Sequence, residues 1–161
     1  MADENKNEWR TLAEQLVNDI PQDGGSVIVY NASFEKTRMK EMANAFPDLA
    51  ERLLDFNARL IDLRDIFRGG YMYMKEMGGS FSIKNVLPAV CPAFSYDSLV
   101  GVKNGTQAMT AFLALRTLPK EQCDEIREQL LAYCKLDTLA MVEIYRELCK
   151  QVNVFEENQR D

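Results

Sequence analysis

Two short stretches carry residue types that could do hydrolytic chemistry. The first is Asn31-Ala32-Ser33-Phe34-Glu35, directly after the apolar, β-branched run Ser26-Val27-Ile28-Val29-Tyr30. A carboxylate one turn into a helix, at the carboxyl end of a buried strand, sits where open α/β sheets gather their active sites. Glu35 also has a plainer use, because a carboxylate favours the positive end of a helix while facing solvent. The second stretch is Tyr133-Cys134-Lys135-Leu136-Asp137. Its spacing puts the phenol and the carboxylate on one helix face, one turn apart. Asp137 falls within an apolar stripe read as Ile126, Leu130, Cys134, Met141, Ile144 and Leu148. A carboxylate on a buried face needs a partner, since desolvating it alone costs several kcal/mol. A divalent cation is one such partner. In the other reading Asp137 caps a new helix starting at Thr138, and Tyr133 packs in the core.

Composition narrows the chemistry further. The chain has no histidine, which excludes imidazole bases, catalytic triads and His-based metal sites within it. Hydrolysis would have to rest on carboxylates, Tyr, Lys or Cys. The cysteines at 91, 123, 134 and 149 show no paired spacing, so a zinc site is not expected. A chain with its own core does not need disulfide staples, and reduced thiols in a cytoplasmic protein are the expectation. The net charge of −6 weighs against a free-standing nucleic-acid binder, which shows a basic stripe. Acidic enzymes that collect carboxylates around metal ions are the exception. No apolar run approaches the roughly 20 residues of a membrane span. The opening MADENKNEWR has no apolar core of a secretory signal.

The elements that must position these residues are legible from periodicity. Trp9, Leu12, Ala13, Leu16, Val17 and Ile20 predict a helix over 7–19, ended by Pro21 and an Asp-Gly-Gly turn. The run 26–30 predicts a strand buried on both faces, hence central in a parallel or mixed sheet. A helix follows over 34–45, then another with Pro47 as its first residue, reaching Phe56. Leu60-Ile61-Asp62-Leu63 predicts a second strand, with a helical turn to Phe67 and a Gly69-Gly70 stop. The Met- and aromatic-rich 71–81 reads as a loop with a short ribbon. Ser82 is placed to cap a helix disturbed by Pro88. After an extended or irregular 93–102, an apolar helix covers 106–117. A long helical stretch over 120–152 closes the chain, with a break near 135–137. Only two strands are visible, and two strands are not a stable sheet by themselves.

Together the two stretches resemble the second and third motifs of the DEDD, or DnaQ-like, 3′–5′ exonuclease superfamily, whose fold is RNase H-like. There a strand leads into N-x-x-[F/Y]-D, matched by Asn31 to Glu35 with Glu in the last place. A downstream helix carries Y-x-x-x-D in the tyrosine branch, matched by Tyr133 and Asp137. The other branch uses histidine, which this chain lacks. The wording YNASFEKTRM, GSFSIKNVLPAVCP, SYDSLV and LLAYCKLDTLAMVEIY is similar to that of an uncharacterised bacterial family. In that family the domain forms the carboxyl end of a longer protein, often behind a RecB- or Cas4-like nuclease region. The resemblance covers 26–150.

The resemblance implies two divalent ions, Mg²⁺ or Mn²⁺, held by four carboxylates beside a single-stranded nucleic-acid 3′ end. Asp137 and Glu35 would be metal ligands, and Tyr133 would orient the attacking water. Asn31 would fix the strand-to-helix turn or contact substrate. Read from the residues alone, Gly78-Gly79-Ser80 and Ser82 with Lys84 could place a phosphate at a helix N-terminus, although a flexible loop and a helix cap are the default reading. Asp62 would stand one layer out. Tyr71, Tyr73 and Phe81 could stack on bases, although packing is the default for such aromatics. The family's first motif, D-x-E on an apolar strand, has no match upstream of Glu35. The resulting expectation is a helix-rich α/β, RNase H-like domain over 1–161, lacking its first strands and its first two carboxylates. Such a chain would be inactive in isolation, part of a 3′–5′ exonuclease or else a non-catalytic binding or assembly module. A sheet edge left bare would favour homo-oligomers.

Overall fold

In the computed structural model, residues 8–158 are described, with side chains through residue 152. They divide into two compact units, 8–66 and 67–158.

In the first unit the helical spacing of Ala13, Leu16 and Val17 produces α1 (Trp9–Asp19). Ile20 turns extended, and Pro21 has no N–H to carry the helix on. Asp23 Oδ1 accepts from the Gly25 amide (2.8 Å), which turns the chain into β1 (Val27–Val29). After Asn31 the chain enters α2 (Ser33–Ala45). Pro47 does not open the next helix. Leu49 and Ala50 first bond back to the carbonyls of Phe46 and Pro47, and α3 (Ala50–Ala58) starts only after that turn. The chain then reaches β2 (Leu60–Asp62).

β1 and β2 are parallel, with Val27 opposite Leu60, Ile28 opposite Ile61 and Val29 opposite Asp62. The expectation of a central strand buried on both faces is corrected. Among the described residues the sheet has two strands, so β1 is paired on one side, and of its residues only Val29 is buried. The apolar surface of this unit goes chiefly into helix packing. Ala13, Met39, Met42, Ala43, Leu53 and Phe56 form its core, where α1, α2 and α3 meet. Burying a side chain such as Phe56 contributes about 1.5–3 kcal/mol.

The boundary between the units falls within α4 (Arg64–Arg68), which stops at Gly70 in the left-handed region (φ 77°). Residues 71–82 form a loop with a single 3-10 turn, Lys75–Met77, rather than a ribbon. Ser82 precedes α5 (Ile83–Val90) but makes no side-chain cap; its carbonyl accepts from Asn85 and Val86 instead. Pro88 lies inside α5 without ending it. The stretch expected to be extended or irregular is irregular and holds another 3-10 turn, Tyr96–Ser98. In α6 (Gly105–Ala114) the Asn104 side chain accepts from the Gln107 amide (2.8 Å). Gln107 in turn accepts from Lys103 N (2.9 Å), a reciprocal cap that fixes the helix start.

The last element, α7 (Lys120–Asn158), is continuous, so the expected break near 135–137 is absent. Its inward side follows the stripe read from apolarity at every position but one, Met141 and Leu148 being partly buried as well. Cys134 is exposed, while Cys123, Ile126, Leu130, Tyr133, Asp137, Ala140 and Ile144 are partly or wholly buried. These positions alternate steps of three and four, the spacing of a narrow packing seam. The amino half of the seam packs with α6, Val102, Leu115 and Leu118. Farther along, α5 packs on α7, and burial, then the charges of Glu147 and Glu143, raise the pKa of the Cys91 thiol that follows α5. The architecture is α/β and helix-rich.

Candidate functional site

Asp137 stands in the middle of the α7 seam, and two phenols answer its carboxylate. The Tyr133 hydroxyl, one turn earlier, donates to Oδ2 at 3.3 Å. The Tyr96 hydroxyl donates to Oδ1 at 2.6 Å. Tyr96 is 4 % exposed, and its ring lies 6.3 Å from that of Tyr133, tilted by 52°. The turn that carries Tyr96 is pinned locally, because Ser95 Oγ accepts from Asp97 N (3.1 Å) and Ser98 Oγ donates to Ser95 O (2.8 Å). Burial pushes the Tyr133 phenol up to about 12, helped by the charge of Asp137 and the bond to it. Tyr133 is therefore a neutral hydrogen-bond donor at ordinary pH. Its oxygen lies beside Gly105, the first residue of α6, which has no side chain.

The first unit holds a different arrangement at the carboxyl ends of its strands. Asp62 closes β2, and its Oδ1 accepts from the amides of Asn31 (2.8 Å) and Arg64 (3.0 Å). Its Oδ2 accepts from the amide of Ala32 (2.8 Å). One carboxylate thus clamps the turn after β1 and the start of α4. Asn31 takes a left-handed conformation (φ 68°), which asparagine tolerates better than most residues. Its Oδ1 accepts from Arg64 Nη1 (2.8 Å). The Tyr30 phenol titrates above its ordinary range because it is buried; Asp62 adds to that and Arg64 opposes it. Glu35 lies half-buried in the first turn of α2.

The predicted site residues therefore fall into two groups. Tyr133 and Asp137 meet as their spacing requires, and Asn31 and Glu35 belong to the first unit with Asp62. Lys84 is the second residue of α5 and half-buried. Tyr71 and Tyr73 are exposed, at 87 % and 58 %, so neither follows the packing default. One residue escaped the sequence reading, and another was named without its partners. Tyr96 lies 41 positions from Asp137, beyond any local periodicity. The clamp made by Asp62 had a signal, an aspartate ending a strand, but nothing to show which amides it would reach.

The donor set can be tested against a hard divalent ion. A carboxylate offers about four lone-pair positions, and two phenol bonds leave Asp137 able to serve as one ligand among several. Among the described residues, no group of three or more Cys, Asp or Glu side chains is gathered tightly enough to hold a metal ion. Asp137 suits the ion in kind, and a complete site would need further carboxylates.

The chain matches the profile of the family described as "Domain of unknown function (DUF2779)" over residues 1–82. That range takes in Asn31, Glu35 and Asp62 and stops before Tyr96. The "Uncharacterized protein MG366 homolog" of Mycoplasma pneumoniae is 36% identical over 132 residues, covering 74% of this chain and 20% of the relative. "Uncharacterized protein MG366" of Mycoplasma genitalium is 28% identical over 165 residues, covering 92% and 24%. The chain thus spans between a fifth and a quarter of the length of these curated relatives. No solved structure matches it. Among the described residues no helix is long and apolar enough to cross a membrane. The profile match covers half of the sequence, and the chain belongs to the DUF2779 family.

Proposed function

We propose that this chain supplies part of the active site of a metal-dependent 3′–5′ exonuclease with an RNase H-like fold, of the DnaQ-like tyrosine branch. The observation that carries the reading is the pairing of Tyr133 with Asp137 on the buried seam of α7, where apolar packing alone would place a hydrophobic residue. The parallel strands ending at the Asn31 turn, with Glu35 one turn into α2, support the second motif. Mg²⁺ or Mn²⁺ would acidify the attacking water and neutralise charge on the leaving oxygen. Asp137 and Glu35 would each give a carboxylate to such ions. The Tyr133 hydroxyl would orient the water through a hydrogen bond, and Asn31 would keep the strand-to-helix turn in register. Lys84 and the exposed Tyr71 and Tyr73 suit a single-stranded 3′ end, by charge and by stacking. The remaining carboxylates, and any upstream nuclease region, would belong to the longer protein in which such a domain works.

A second reading is a non-catalytic binding or assembly module. It is favoured by the absence of a gathered carboxylate cluster among the described residues and by the acidic net charge. The two readings part in one experiment. The protein encoded by the complete gene is incubated with a single-stranded oligonucleotide and Mn²⁺, and mononucleotide release is followed. The enzyme reading expects chelator-sensitive release that collapses in Asp137→Ala. Unchanged release in that variant, or none from the parent, leaves the binding module.

A further inference from the structure

We propose that Tyr71 and Tyr73 form a stacking platform for two neighbouring bases of a single-stranded nucleic acid, a contact that needs no metal ion. The inference deepens the nuclease reading above and rests on it for the kind of polymer.

The two rings are displayed rather than packed. Tyr71 is more exposed than any other large apolar side chain among the described residues, and Tyr73 is exposed as well. Met72 and Met74, which alternate with them, are half-buried. The segment that carries the rings is tied down on both sides. Before it, the Gly70 amide donates to Phe67 O (3.1 Å), and Phe67 is wholly buried. After it, the Met77 amide donates to Met74 O (3.0 Å) and the Ser80 amide to Met77 O (3.0 Å). Met77 is itself wholly buried, in a turn that packs on α5. Rings on an anchored segment lose little freedom when something settles on them, because a tyrosine has only two side-chain torsions to fix.

Two observations select a nucleic acid as the occupant. The part of the second unit ahead of α7, Phe67 to Pro119, has five Lys or Arg against two Asp or Glu, a local net charge of +3 in a chain of −6. One of them, Lys75, is exposed two positions after Tyr73. A polyanion is drawn to such a stretch. The spacing is the second observation. The Cα atoms of residues 71 and 73 are at most about 7 Å apart, which puts both rings within reach of neighbouring bases on one strand. Every base has a π-face, so stacking of this kind tolerates any sequence. Bases already stacked in a duplex do not offer that face.

The test uses the protein encoded by the complete gene and a fluorescently labelled oligothymidine, with a chelator present so that no ion bridges the two. Binding is followed by anisotropy. Tyr71→Ala and Tyr73→Ala are each expected to weaken it by about tenfold, with the melting temperature unchanged because neither ring is in the core. Tyr71→Phe and Tyr73→Phe should bind as the parent does, since the ring stacks and the hydroxyl does not. A duplex of the same sequence should show no dependence on either ring. Parental affinity in the double alanine variant, or equal weakening in the phenylalanine variants, overturns the platform. So does a parent that binds no oligonucleotide, which leaves the two rings to a protein surface. The nuclease reading survives each of those results if Mn²⁺ supports mononucleotide release that Asp137→Ala abolishes. Ring-dependent binding by a parent without such release keeps the platform and defeats the nuclease reading instead.

Discussion

Asp62 and Asp137 are both half-buried aspartates that accept several hydrogen bonds, yet they are satisfied by opposite means. Asp62 is met by three backbone amides, groups that cannot rotate away and that no substitution short of proline removes. Asp137 is met by two side chains, each of which turns about its own bonds. The first arrangement makes a carboxylate into a structural clamp, its oxygens committed to backbone. The second leaves a carboxylate whose partners can be exchanged for something else. Burial alone does not separate the two; the identity of the donors does.

That contrast can be broken at either end. The largest effect is expected at Asp62, because Asp62→Ala leaves three amides without their acceptor. A loss of about 3 kcal/mol should lower the melting temperature by roughly 10 °C, with Asp62→Asn recovering part of it. If Asp62→Ala melted with the parent, the clamp would be ornamental. Tyr96→Phe comes next, at about 2 kcal/mol in chemical denaturation, since it removes the short bond to a buried oxygen. Tyr133→Phe should cost clearly less. Equal losses from the two phenols would erase the distinction between an anchored and an exchangeable partner.

A smaller effect is expected in alkali. The Tyr133 phenol is raised from 10.0 to about 12 in the folded protein, so its neutral form is favoured by folding. That contribution is complete below pH 10 and is lost as pH rises toward 12. Because Tyr133 is only half-buried, the effect should be about 1 kcal/mol after solvent screening. It is read as the part of the stability decline between pH 10 and 11.5 that Tyr133→Phe abolishes. Identical pH profiles for parent and variant would refute it. The smallest effect is expected at Asn31. Asn31→Gly relieves the left-handed backbone but loses the bond to Arg64, and the two should cancel to within about 0.5 kcal/mol. Asn31→Ala loses both and should cost more than Asn31→Gly in the same melt.

The contrast also explains what could be read in advance. The helices and both strands announced themselves through periodicity and β-branching, and Tyr133 with Asp137 through a four-residue spacing. The expected break in α7 came from treating Asp137 as a cap, yet a carboxylate bonded to Tyr96 has no need to capture its own backbone. Cys134 was counted inward because it is apolar. The alternating steps through Tyr133 and Asp137 place it outside; Asp137 was already counted inward, and Tyr133 takes the place given to Cys134. Tyr96 and the reach of Asp62 depend on chain segments brought together only by folding, and no local pattern encodes them.

The seam of α7 has one more consequence. A repeat of 3.5 residues on a helix of 3.6 drifts by about 20° per heptad, so over the three heptads from Cys123 to Ile144 the packing line rotates by roughly 60°. A helix with that drift can serve α6 near one end and α5 farther along without the two partners lying parallel.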